Sequence, residues 1–178
     1  MNLNIDLGNI EGSFDGIASD LLLRKALFVN GKEIRFTEIE FYYFNDNHQD
    51  NYTHKHKRDE GEWRFHKQGL DITFQGDEKS DGGILIRGIC VDGKYINGPI
   101  NVVSKMFELF GKITTDSSLT LSDSSLRNSE IQKTHRHLPN KINNTDFQFR
   151  FYRYLTDIDF WEIPKSTKDQ IKQNLVKV

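Results

Sequence analysis

Glu38-Ile39-Glu40-Phe41-Tyr42 is the stretch on which the reading of this chain turns. It sits inside a longer run, about 33 to 43, whose residues suit a β-strand. Strand side chains alternate with period two, so Ile34, Phe36, Glu38, Glu40 and Tyr42 are expected to share one side. A carboxylate among apolar neighbours loses its hydration, a cost that an opposite charge, a hydrogen-bond network or a functional site must offset. A second apolar run, Ile84-Leu85-Ile86-Arg87-Gly88-Ile89, carries an arginine that can supply that charge.

Working outward, residues 17 to 23 predict a short helix, and a strand near 25 to 29 leads into Asn30-Gly31, a dipeptide suited to the positive φ values of a tight hairpin. The polar stretch Asn45 to Glu60 holds His48, His54 and His56 with Lys55, Lys57 and Arg58 and reads as a loop. A second hairpin is expected over Glu62 to Phe74, bending at Gln68-Gly69. Asp71 in that hairpin either points inward to bond His66 or lies outside on the sheet. Gly82-Gly83 reads as a tight turn, with close backbone approach at a strand start as the alternative. Asn97-Gly98-Pro99 opens a helix in which Val102, Val103, Met106, Phe107 and Phe110 recur at helical spacing and which Gly111 can end.

Residues 114 to 146 are rich in Ser, Thr, Asn and Asp and read as a long polar excursion, with Lys133 to Lys141 as a solvated basic patch. Phe147, Phe149 and Phe151 alternate as in a half-buried strand, and Ser166, three residues before Asp169, suits the cap of a C-terminal helix with Ile171 and Leu175 on its inner face. These elements predict one α+β domain over residues 1 to 178: a curved antiparallel sheet of hairpins with a few packed helices.

The length of 178 residues and 36% hydrophobic content support one core, and 13 Phe, 6 Tyr and 2 Trp argue against global disorder. A formal charge of −2 gives no global attraction for nucleic acid, so phosphate binding would need a local basic patch. Cys90 is the single cysteine, expected as a buried thiol, which precludes an intramolecular disulfide and fits a reducing, cytoplasmic setting. No apolar run reaches membrane-spanning length, and Met1 to Asp6 lacks the pattern of a secretory leader, so no membrane partner is expected.

The order of these motifs resembles the alkyladenine (3-methyladenine) DNA glycosylase family, whose members excise altered purines by base flipping. The leucine-rich helix and hairpin lead into Glu38-x-Glu40-x-Tyr42, similar to the family's Glu-x-Glu-x-Tyr strand, and Asp50 to His54 is similar to its Asp-x-x-x-His segment. Leu85-Ile86-Arg87-Gly88 resembles its Leu-Leu/Ile-Arg-Ala strand, Gly98-Pro99 its helix start, and Arg150-Phe151-Tyr152 its C-terminal Arg-Phe-Tyr strand. The resemblance covers about residues 18 to 160 and implies an alkyladenine DNA glycosylase-like fold. By the same resemblance, Glu40 is the general base that activates water, Arg87 holds that water and Glu40, Tyr42 stacks on the flipped base, and His54 contacts the base or its phosphate. His66 and Gln68, on the second hairpin, complete the expected substrate-binding set. Gln68-Gly69 stands where the family carries an aromatic wedge beside a glycine.

The implied function is a glycosylase-like hydrolase cleaving the N-glycosidic bond of a flipped alkylated or deaminated purine, with double-stranded DNA as partner through a local basic patch and with neither cofactor nor metal. Two alternatives stand beside it. One is a non-catalytic module on the same fold that binds a small nucleobase-like ligand, with Glu40 and Arg87 as a buried ion pair joining two strands. The other is a metal-dependent hydrolase built on His54, His56 and His66.

Overall fold

Asn30 and Gly31 both take positive φ, 51° and 77°, and so turn β1 (Lys25–Val29) back as β2 (Lys32–Asn45), as the dipeptide predicts. The computed structural model describes residues 1–138 and 145–178. Ahead of this hairpin lies α1 (Ile10–Ser19), capped by the Asn9 side chain, which accepts from the Gly12 amide, and followed by a π-wound turn, Asp20–Arg24. The helix expected over 17 to 23 therefore starts earlier and changes pitch at its end.

After β2 come β3 (His48–Gln49), β4 (Trp63–His66), β5 (Gly69–Thr73), β6 (Ser80–Val91) and β7 (Lys94–Asn97). They are followed by α2 (Pro99–Phe110), β8 (Leu119–Asp123), β9 (Gln132–Thr134), α3 (Thr145–Gln148), β10 (Arg153–Leu155), α4 (Lys165–Lys172) and β11 (Val176–Lys177). Every strand pairing is antiparallel, and the open sheet runs β11-β9-β10-β2-β6-β5-β4, with β1 and β3 also paired to β2, β7 to β6 and β8 to β1. The fold is thus α+β, an open antiparallel sheet with few helices. Among the described residues, no helix is long and apolar enough to cross a membrane.

The apolar core gathers Phe14 and Ile17 of α1, Leu21 and Leu22 of the π turn, and Val102 and Met106 of α2 against the sheet. Phe14 stacks on Phe41 at 4.4 Å between ring centroids and meets Tyr152 edge-on at 5.0 Å. A smaller cluster of Leu155, Ile158 and Trp161 receives Ile171 and Leu175, as the C-terminal helix pattern predicts.

Several expectations are corrected. The polar excursion contributes β8 and β9 to the sheet: backbone pairing holds them, and Leu119 and Leu121 of β8 and Ile131 beside β9 pack on the core; its residues 139–144 lie outside the described residues. Phe147 to Phe151 form no strand: Phe147 belongs to α3, and the strand begins at Arg153. Pro164, not Ser166, stands at the start of α4. Gly82 and Gly83 lie inside β6 rather than in a turn, where a Cβ on Gly82 would overlap the Tyr42 carbonyl and one on Gly83 would come within 2.9 Å of the Ile72 carbonyl. Cys90 is partly exposed, and its partial burial still pushes the thiol up.

The most consequential correction concerns the faces of β2. Its pairing with β6 runs Phe36↔Ile89, Glu38↔Gly88, Ile39↔Ile86, so Thr37 is an extra residue on one strand and Arg87 on the other. These neighbouring bulges leave the register beyond them unchanged and reverse which side each residue faces. Ile34 and Phe36 enter the core before the bulge, and Ile39, Phe41 and Tyr43 after it. Glu38, Glu40 and Tyr42 are thereby turned to the opposite face from Ile34 and Phe36. The freed backbone carbonyls find donors: Arg127 reaches Phe36 O at 2.8 Å and the Thr156 amide reaches Thr37 O at 2.9 Å. Gly88 suits this crowding, since a Cβ there would lie 2.8 Å from Thr37 Oγ1 and 2.9 Å from Glu38 Cβ.

Candidate functional site

On the face that the bulges turn away from the core, neighbouring strands bring Arg153 of β10, Glu40 of β2, Leu85 of β6, Asp71 of β5 and Arg64 of β4 into one row. Tyr42 and Gly83 form the next rung on β2 and β6. Beside this row opens a cavity of about 520 Å³, a size suited to a small ligand. Its lining includes Tyr42, His54, His66, Gln68 and Arg87, together with Arg64, Lys67, Asp71, Leu85, Tyr52, and Pro99 and Ile100 at the start of α2. Five of the six residues singled out from the sequence therefore share one cavity. Glu40 does not line it: its side chain has no exposure, and it sits behind Tyr42 and Arg87.

The carboxylates are held by a shared network. Tyr42 Oη donates to Glu40 Oε2 at 2.8 Å, and Arg87 donates to the same oxygen at 3.3 Å and, through Nε, to Glu38 Oε1 at 2.9 Å. Arg153 Nε donates to Glu38 Oε1 at 2.7 Å and stands 3.9 Å from Glu40 Oε1. Glu40 Oε1 is buried and accepts no hydrogen bond among the described residues. Burial works against the charge on Arg87, yet Glu40 and Glu38 hold its guanidinium above its ordinary value. Burial, reinforced by the Glu40 charge, pushes the Tyr42 phenol well up, so it stays a hydrogen-bond donor.

Two strands along the same row, Asp71 Oδ2 accepts from Arg64 at 3.0 Å and lies 3.0 Å from His66 Nε2, so Asp71 does turn toward His66. The Asp71 carboxylate beside it draws the His66 imidazole upward, while partial burial, Arg64 and His66 lower that of His54, 5.9 Å away between ring centroids. Gln68 sits exposed at the hairpin tip, and its Oε1 accepts from His66 Nδ1–H at 3.0 Å. Gly69 beside it has φ 151°, and a Cβ there would come within 2.8 Å of Pro99 Cβ, so the hairpin can lie close against α2.

The histidines do not assemble as a metal centre. His56 turns Nε2 to the Gly82 carbonyl at 2.8 Å, away from the His54 and His66 pair, and no group of three metal-ligating side chains forms among the described residues. His48 is structural: Nδ1–H donates to Tyr43 O and Nε2 accepts from Tyr152 Oη, each at 2.8 Å.

Sequence reasoning missed Arg136. It read as part of a solvated basic patch, but its side chain is fully buried and grips Asp50 through two bonds of 2.7 and 3.1 Å. It also donates to the carbonyls of Phe41 and Phe147 and places its guanidinium 4.5 Å from the centroid of the Tyr42 ring. Lys133, in the same segment, pairs with Asp15 at 2.8 Å. Arg153 and Glu38 were missed for a different reason: their part depends on strands pairing across more than a hundred residues of chain.

No protein-family model matches the chain. It is similar to Uncharacterized protein L759 of Acanthamoeba polyphaga mimivirus, at 32% identity over a match covering 56% of this chain and 59% of that protein.

Proposed function

We propose that the cavity receives a purine base swung out of a nucleic acid and that the chain is a glycosylase-like hydrolase on an alkyladenine DNA glycosylase-like fold. The observation that carries this reading is the Glu40 carboxylate directly behind Tyr42 and Arg87, with Oε2 engaged and Oε1 without a hydrogen-bond donor. In the proposed reaction water adds to the anomeric carbon as the bond to the base nitrogen breaks, and the base leaves with the bonding electron pair and takes up a proton from solvent. Glu40 takes the proton of that water once the Tyr42 hydroxyl or Arg87 swings aside from Oε2, and its negative charge behind the cavity wall favours the oxocarbenium-like transition state. Arg87 orients Glu40, Tyr42 walls the base pocket, and His54, His66 and Gln68 act at the rim. Arg64 and Lys67 give this rim a positive character that the whole chain lacks, as phosphate contact requires.

The test is release of free base from duplex DNA containing hypoxanthine or an alkylated purine. Wild-type protein is expected to release it and Glu40→Gln to lose release while still folding, at a lower melting temperature because a buried charge partner of Arg87 is removed. Absence of release by wild-type protein at any salt concentration overturns the catalytic reading.

The zero exposure of Glu40 favours a second reading, a nucleobase-binding module in which Glu40, Glu38, Arg87 and Arg153 only brace the sheet. Thermal stabilisation by a free nucleoside without base release supports this one.

A further inference from the structure

The ring of Tyr42 has a permanent cation against it from within the protein. Arg136 stands 4.5 Å from the ring centroid, is wholly buried and does not line the cavity, whereas Tyr42 does. An aromatic face attracts a cation through its quadrupole, but a second cation brought to the same ring meets the charge of the first. Asp50 offsets part of that charge, since it holds Arg136 through two hydrogen bonds.

The cavity wall repeats the same sign. Arg64, Lys67 and Arg87 line it; Glu38 and Glu40 offset Arg87 from behind the wall, and Asp71, the one carboxylate among the described lining residues, offsets Arg64. Lys67 is exposed and forms no ion pair among the described residues, so its charge is not cancelled locally. Glu40 offers a negative charge behind the wall, yet Tyr42 and Arg87 already hold the oxygen on that side.

From this arrangement we propose that the pocket selects uncharged purines, deaminated ones included, and discriminates against bases that carry a formal positive charge. This rests on the nucleobase reading above and names the class of base within it. Such a site would recognise damage by shape and hydrogen bonding rather than by the cationic character that ring alkylation confers.

Two isomeric nucleosides separate charge from size. At neutral pH N6-methyladenosine is uncharged and 1-methyladenosine is a cation, and both are titrated into the full chain by calorimetry. The uncharged isomer is expected to bind about tenfold tighter or more, the scale of one unscreened charge contact near a protein surface. Lys67→Gln, at an exposed position, is expected to narrow the gap, and Arg136→Met to narrow it further if that variant folds. Equal or tighter binding of 1-methyladenosine overturns the selectivity while leaving the nucleobase reading intact. Failure of both isomers and of inosine to bind overturns the nucleobase reading and the selectivity with it.

Discussion

The hydroxyl of Tyr42 donates to Glu40 Oε2 across 2.8 Å, between side chains two residues apart on the same face of one strand. The wall of the cavity and the buried carboxylate are therefore linked within a single turn of the pleat. Tyr42→Phe keeps the ring and removes the donor. It should cost about 1–3 kcal/mol in urea unfolding, because an acceptor that is completely buried loses a partner.

Asp50 and Arg136 form an ion pair with no side-chain exposure on either partner. Asp50→Asn leaves the guanidinium charged and without its counter-ion beneath Tyr42. Destabilisation of about 3–5 kcal/mol is expected by chemical denaturation, enough to leave little folded protein at physiological temperature. A loss under 1 kcal/mol would show that Arg136 finds other acceptors.

His48 ties stability to acid. Burial lowers its imidazole below the ordinary value of 6.5, although its bond to the Tyr43 carbonyl works the other way. A buried neutral histidine contributes stability that is present above the unfolded pKa and lost as pH falls through the lower folded one. Protonating Nε2 also removes the acceptor for the Tyr152 hydroxyl. Melting temperature should therefore drop as pH falls below 6.5, and His48→Gln, less stable at neutral pH, should flatten that acid limb.

Gly82 has φ 150° and lies against the Tyr42 backbone, where a Cβ would overlap the carbonyl oxygen. Gly82→Ala should destabilise the fold by about 2–4 kcal/mol and displace β2 at Tyr42, read as a lower denaturation midpoint and weaker nucleoside binding together. Gly93, whose Cβ would meet nothing within 4 Å but whose φ is 76°, is the control: strain there should leave binding unchanged.

Local chemistry made much of the fold legible. Asn30-Gly31 marked the first hairpin, Gly98-Pro99 the start of α2, and Ile171 with Leu175 the docking face of α4. Asp92-Gly93, with φ of 51° and 76°, carries the same hairpin signal and turns β6 into β7, a connection available from the sequence but not read there. The strands β8 and β9 left a fainter trace: Leu119 and Leu121 alternate and pack on the core, but the polar residues around so short a pattern mask it, and β9 is ordered by its pairing. The gathering of Tyr42, His54, His66, Gln68 and Arg87 was legible through the order of motifs, whereas Arg136 was hidden because a histidine on each side and the preceding Lys133-Thr134 make a buried cation look like a solvated one.

The unpaired residue that offsets the ladder on β6 is Arg87, and Arg87 is also the cation that meets Glu38 and Glu40. Geometry and charge are thus coupled in a single position. Deleting Thr37 alone would leave Glu38 and Glu40 facing away from Phe36 by plain alternation but would set a regular β2 against the extra residue on β6, and deleting Arg87 alone would leave Glu38 to Arg153 and Glu40 to the Tyr42 hydroxyl. Length changes in these two strands keep the register only as a matched pair, and one member of that pair is the cation.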